Sequence, residues 1–175
     1  MKNIVFIISV FLSFSVMSAQ EKVKSIFDIA RSGTVAEVND LMKQNPDIIN
    51  QTNENGFSPL ILACYRGNIG VADFLMDKVK DINYNSSMGT ALMAVVYKGD
   101  LQLTQKLLDN KSDINTTDSQ GTTPLIFASK LGNTEMVKLL LKYHADKNIK
   151  DKQGNTAFEY AVLSKKSELI NQLKN

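Results

Sequence analysis

Four phrases recur along this 175-residue chain at nearly constant spacing, and that recurrence constrains the fold more than any single residue does. They are Gly56-Phe-Ser-Pro-Leu60-Ile-Leu-Ala63, Met88-Gly-Thr-Ala-Leu92-Met-Ala-Val95, Gly121-Thr-Thr-Pro-Leu125-Ile-Phe-Ala128 and Gly154-Asn-Thr-Ala-Phe158-Glu-Tyr-Ala161. Their apolar anchors, Leu60, Leu92, Leu125 and Phe158, stand 32, 33 and 33 residues apart. A period near 33 marks a stacked array, in which each unit buries its apolar face only against its neighbours. The chain is therefore expected to form an elongated all-α repeat solenoid, a one-dimensional surface suited to holding another macromolecule.

Each unit carries its own start and stop signals. Ser58, Thr90, Thr123 and Thr156 offer hydroxyl N-caps, and Pro59 and Pro124 follow in the first helical turn. Seven residues after the anchor come Gly67, Gly99 and Gly132, suited to a left-handed helix end. Ala63, Val95, Ala128 and Ala161 are small enough for close helix approach, and Val137, Leu140 and Leu141 form an apolar stripe on a second helix. The unit closes on Asp81-Ile82-Asn83, Asp113-Ile114-Asn115 or Asp146-Lys147-Asn148, whose recurrence points to a turn-forming role.

From about residue 25 onward this pattern resembles the ankyrin repeat, with its T-P-L-H-x-A phrase, Gly turn, apolar second helix and G-A-D-V-N exit. The resemblance implies about five repeats, near 22–53, 54–85, 86–118, 119–151 and 152–175, joined by short β-hairpin loops. The first and last are degenerate and are expected to act as solubilising caps. Val79, Lys111 and His144 replace the exit Gly, which predicts a small stability cost at those helix ends. Met88 takes a hairpin Gly position and one residue is missing before it, so a distorted third loop is expected.

Residues 1–19 have a different build. Met1-Lys2-Asn3 is followed by an apolar run from Ile4 to Val16 and by Met17-Ser18-Ala19, the three-part form of a secretory signal peptide. An uncleaved anchor is the competing reading, but the run is short against the roughly 20 residues a spanning helix needs. Cleavage would leave residues 20–175 as the repeat domain, periplasmic or secreted, with no stable membrane insertion. Removing Lys2 leaves 19 basic against 18 acidic residues, and no long run of one sign favours nucleic acid as a partner.

The residues offer little chemistry. His144 is the only histidine and Cys64 the only cysteine, so zinc ligation lacks a donor set, and no nucleophile turn or phosphate loop is present. Cys64 lies beside Ala63 and is read as a small buried hydrophobe. No cofactor and no catalysis are expected.

Ankyrin proteins usually bind partners with their hairpin tips and the last turn of the first helix, which line a concave face. Carried over by position, the candidate protein-binding residues at helix ends are Arg31, Tyr65, Arg66, Tyr97, Lys98, Lys130 and Leu131. At the tips they are Glu54, Asn55 and Phe57, with Ser119 and Gln120. Tyr and Arg dominate interface hot spots, and a positive row would favour an acidic patch on the partner. The plainer reading is that these are solvated helix ends whose cations complement the helix dipole. The overall build is similar to small bacterial ankyrin proteins exported to the periplasm, some of which accompany catalases in protection against oxidative stress. That similarity implies a non-enzymatic, monomeric protein-binding module. The alternative is an antagonist of immunity type, or a secreted effector, that masks another protein's active site.

Overall fold

The structure is a computed structural model that describes residues 24–174. The expected signal segment, 1–19, lies outside the described residues. Ten α-helices follow as five antiparallel pairs: α1 (Ile26–Ser32) with α2 (Val35–Gln44), α3 (Pro59–Arg66) with α4 (Ile69–Met76), α5 (Ala91–Lys98) with α6 (Leu101–Asp109), α7 (Pro124–Lys130) with α8 (Thr134–Lys142), and α9 (Ala157–Ser164) with α10 (Ser167–Lys174). A single 3-10 turn, Pro46–Asn50, follows α2 and absorbs the extra residue there. Odd-numbered helices pack on one another in an inner row, and even-numbered helices form an outer row behind them.

The core repeats with the sequence. Ala30, Ala63, Val95, Ala128 and Ala161 are completely buried, one on each inner helix, where a longer side chain would force the rows apart. Val38, Val71, Leu103, Met136 and Leu169 play the matching part on the outer row and are at most 1% exposed. Each such apolar burial is worth about 1.5–3 kcal/mol, and each is realised only when the neighbouring unit is present.

Local chemistry sets the helix ends. The hydroxyls of Ser58, Thr90 and Thr123 accept from the backbone N–H three residues on, at 3.2–3.3 Å. Gly67, Gly99 and Gly132 take left-handed φ of 71°, 72° and 63°. At the second-helix exits Lys111 and His144 are forced to φ of 64° and 63°, a conformation that strains a residue with a Cβ. Val79 escapes it: a β-branched side chain fits that region worst, and α4 instead closes on Asp77 in right-handed geometry.

The loops between units are turns rather than strand ladders. In three of them one side chain organises everything: Asn53, Asp118 and Asp151 each accept with Oδ1 from the N–H groups two and four residues ahead, at 2.8–3.1 Å. Two backbone hydrogen bonds then close each loop, as from the Asn53 N–H to the Phe57 carbonyl and from the Gly56 N–H to the Asn53 carbonyl, too few for a strand. The third loop is contracted, as the missing residue predicts. Ser86 and Gly89 exchange both backbone hydrogen bonds in the one isolated β-bridge among the described residues, and Met88 is pushed into solvent at 73% exposure.

Adjacent units are also tied across the array by an asparagine ladder. Asn83 accepts from the Asp113 N–H at 2.7 Å, and Asn115 from the Asp146 N–H at 2.9 Å. Asn50 does the same for the Lys80 N–H at 2.9 Å. The Asp81, Asp113 and Asp146 carboxylates orient Asn83, Asn115 and Asn148 by accepting from their backbone N–H groups at 2.8–2.9 Å.

The first and last units depart from the interior pattern. The Asn68 amide donates to the carbonyls of Gly33 and Ala30, at 2.9 and 3.3 Å, and so closes α1, which lacks a left-handed glycine end. At the other end, exposed Glu159 stands where Ile61, Met93 and Ile126 are buried in preceding inner helices.

Candidate functional site

Because the inner helices are parallel and one unit apart, equal positions in successive helices form rows on the concave side. The last-turn row begins with Tyr65 on α3 and Tyr97 on α5. Their rings stack with centroids 5.9 Å apart and planes within 12°. Tyr97 then meets Phe127 of α7 edge-on, again at 5.9 Å, so three repeats share one aromatic strip. Tyr65 and Tyr97 remain 43% and 48% exposed.

Cations gather around the first ring. The Arg66 guanidinium lies 6.0 Å and the Lys98 ammonium 5.7 Å from the Tyr65 ring centre, within the range of cation–π attraction. Among the described residues no carboxylate pairs with either of them. Arg31, on the last turn of α1, pairs with Asp28 at 3.1 Å.

These side chains border a concave groove of about 500 Å3. Of the twelve residues expected to bind, Arg31, Asn55, Phe57, Tyr65, Arg66 and Tyr97 line it. Lys98 is outside the lining, with its ammonium over the ring of Tyr65, which lines the groove. Glu54 is exposed at the first tip, outside the groove lining, and Leu131 is 47% exposed beyond it. Ser119 and Gln120 also lie outside. They pair with each other at 3.4 Å, and the Gln120 carbonyl accepts from the Lys152 N–H at 2.9 Å.

Lys130 differs from the expected row. Its ammonium donates to the buried Asp151 carboxylate at 3.2 Å and to the Thr122 hydroxyl at 3.4 Å, and it lies 4.4 Å from the Tyr160 ring centre. Tyr160 also donates to Asp151, at 2.6 Å. Burial would raise the Asp151 carboxyl, but the hydrogen bonds from Tyr160, the Asn155 N–H, Lys130 and the Gln153 N–H outweigh it and hold the group below its usual range. The free positive charge on the concave face is therefore concentrated toward the N-terminal repeats.

Sequence reasoning missed the floor of the groove, which includes Met93, Ala94 and Phe127, and its exposed lip at Met88. A signal existed: the fourth residue of α3, α5, α7 and α9 is Leu62, Ala94, Phe127 and Tyr160, so one row has a single small member. Cys64 is 1% exposed and burial pushes its thiol far up, which leaves it a packing residue rather than a nucleophile. Among the described residues no cluster of three or more His, Cys, Asp or Glu side chains could gather a metal ion, and no helix is long and apolar enough to cross a membrane.

Comparison with known proteins agrees with this geometry. The chain is 32% identical over 74 residues to the NAD-capped RNA hydrolase NUDT12 of human, of Sumatran orangutan (Pongo abelii) and of crab-eating macaque (Macaca fascicularis). Each match covers 42% of this chain but only 16% of the relative. A family model described as ankyrin repeats (3 copies) matches residues 26–118 and, in an overlapping placement, 92–175. Helix pairs, left-handed glycine ends, the turn-organising Asx side chains and this family match lead to one conclusion: the chain belongs to the ankyrin repeat family.

Proposed function

We propose that this protein is a non-enzymatic array that binds a protein partner on its concave face, after export directed by residues 1–19. Ankyrin repeats are characteristically protein–protein interaction modules. The observation that carries the location is the stacked, half-exposed Tyr65–Tyr97 pair with Arg66 and Lys98 beside it. Aromatic rings and cations of this kind give large contact area with polar handles, the composition of interface hot spots. Export is supported by the charged start, apolar run and small-residue end of the first 19 residues. The hydrolase activity named for the relatives is not carried over, since the match spans so little of them.

The test is partner capture by crosslinking in the native host, comparing the parent with the Arg66→Glu, Lys98→Glu double variant. Both positions are exposed, so melting should shift by no more than about 0.5 kcal/mol in stability while capture falls sharply. Unchanged capture would place the binding surface elsewhere. A deletion strain with unaltered peroxide sensitivity, and no catalase gene adjacent, would remove the oxidative-stress role.

A further inference from the structure

One residue lining the groove is small where its counterparts in the neighbouring inner helices are large. Leu62 and Phe127 fill the fourth position of α3 and α7, and Tyr160 fills it in α9, but α5 has Ala94 there. Ala94 lines the groove together with its two large neighbours in that row, Leu62 and Phe127, and with Tyr65, Tyr97, Met93 and exposed Met88. Methionines are soft walls that adapt to the shape of an apolar guest.

Charge is arranged asymmetrically around that groove. Arg66 and Lys98 have no carboxylate partner among the described residues, Arg31 is half-neutralised by Asp28, and Lys130 is withdrawn by Asp151. The Asn55 side-chain amide, at the same wall, makes no hydrogen bond to a described residue and can pair with a peptide backbone. We infer that the groove takes an extended acidic segment of a protein partner. One carboxylate side chain sits against Arg66 and Lys98, and a nearby bulky apolar side chain packs over Ala94. This rests on the concave-face reading above and adds the shape and charge of what is bound. The volume of about 500 Å3 suits a short peptide stretch rather than a flat protein surface.

Fluorescence anisotropy with the full chain tests this. The probes are labelled eight-residue peptides in a Gly/Ser background, carrying Glu or Lys at one position and Phe, Leu or Ser at each of the others in turn. Peptides with both Glu and a bulky apolar residue should bind about ten- to a hundredfold tighter than their Ser versions, the range one apolar anchor supplies. Ala94→Leu should remove the apolar preference while keeping the preference for Glu. Large residues occupy the same place in neighbouring helices, and Ala94→Met provides a flexible second filler if Leu disturbs folding. Arg66→Glu with Lys98→Glu should reverse the Glu-over-Lys preference. The inference is overturned if Glu/apolar peptides bind no better than Ser controls, or if both fillers leave the apolar preference intact. Should peptides fail while partner capture still depends on Arg66 and Lys98, the concave-face reading stands and the peptide inference alone falls.

Discussion

Replacing Asp151 by Asn removes one charge and leaves the size unchanged, so it isolates the ionic part of the repeat 4–repeat 5 junction. The Oδ1 position, which serves the Gln153 and Asn155 N–H groups, survives as the amide oxygen. The Oδ2 position becomes an NH2 group facing two donors, the Tyr160 hydroxyl and the Lys130 ammonium. A hydrogen bond to a buried charged group contributes about 1.5–3 kcal/mol. The Lys130 side chain is 31% exposed and regains water when released, which brings its share down to about 1 kcal/mol. The expected loss is therefore about 2.5–4 kcal/mol, read by urea denaturation at neutral pH. A double-mutant cycle with Lys130→Met should give a coupling of about 1 kcal/mol, since the pair is in direct contact.

The sign of the pH dependence follows from the lowered Asp151 carboxyl. Its folded value lies below its unfolded value, near the usual 3.9 or so, so the stabilisation is present above that and is lost as pH falls through the folded value. The parent and Asp151→Asn should differ most at pH 6–7; the difference should start to shrink below about pH 4 and vanish only once the pH is under the lowered folded value, where the parent carboxyl is neutral as well. Glu37, Asp47 and Glu159 are also held low, but they are common to both proteins and cancel in the difference. The reasoning fails if Asp151→Asn lies within about 0.5 kcal/mol of the parent, or if the deficit does not shrink as the pH is lowered step by step below about 4.

His144→Gly should stabilise by about 0.5–1 kcal/mol in the same denaturation assay, because a left-handed φ of 63° suits glycine and strains histidine. Asn115→Ala should cost about 0.5–1.5 kcal/mol by removing the acceptor of the exposed Asp146 N–H, whereas Asn148→Ala should cost far less. Asn148 occupies the equivalent place but accepts from no following unit among the described residues. Equal losses for the two would show that the ladder contact contributes nothing beyond the local turn.

Much of the scaffold is readable in the sequence because its causes are local. A threonine before a proline, or a glycine seven residues past the anchor, acts within one turn of its own position, and the caps and left-handed ends stand where those residues fall. Other features depend on atoms about 30 residues away. The Asp-x-Asn exits announce a turn, but nothing in one unit shows that the asparagine reaches back to hold the next unit's backbone. Val79, Lys111 and His144 look equivalent as missing glycines, and only backbone sterics separates the valine from the other two. Lys130 reads as one more basic helix end until the fifth loop brings Asp151 under it. Ala94 is a small residue in a row of large ones, and its meaning emerges only once that row is seen to floor a groove.

The asparagine ladder also bears on how such a chain changes length. Each unit brings both halves of a joint, a backbone N–H for the unit before it and a side-chain oxygen for the unit after it. A whole unit can thus be duplicated or deleted in frame and the polar joints rematch, while a partial insertion leaves a donor stranded. Asn148 still holds out the acceptor half at the C-terminal end. On α9 the row that holds buried Ile61, Met93 and Ile126 carries exposed Glu159, whose carboxylate accepts from the Thr156 N–H at 2.7 Å. A unit stacked on α9 would have to cover that carboxylate, so Glu159→Ile is the change that would make this helix match the inner helices before it.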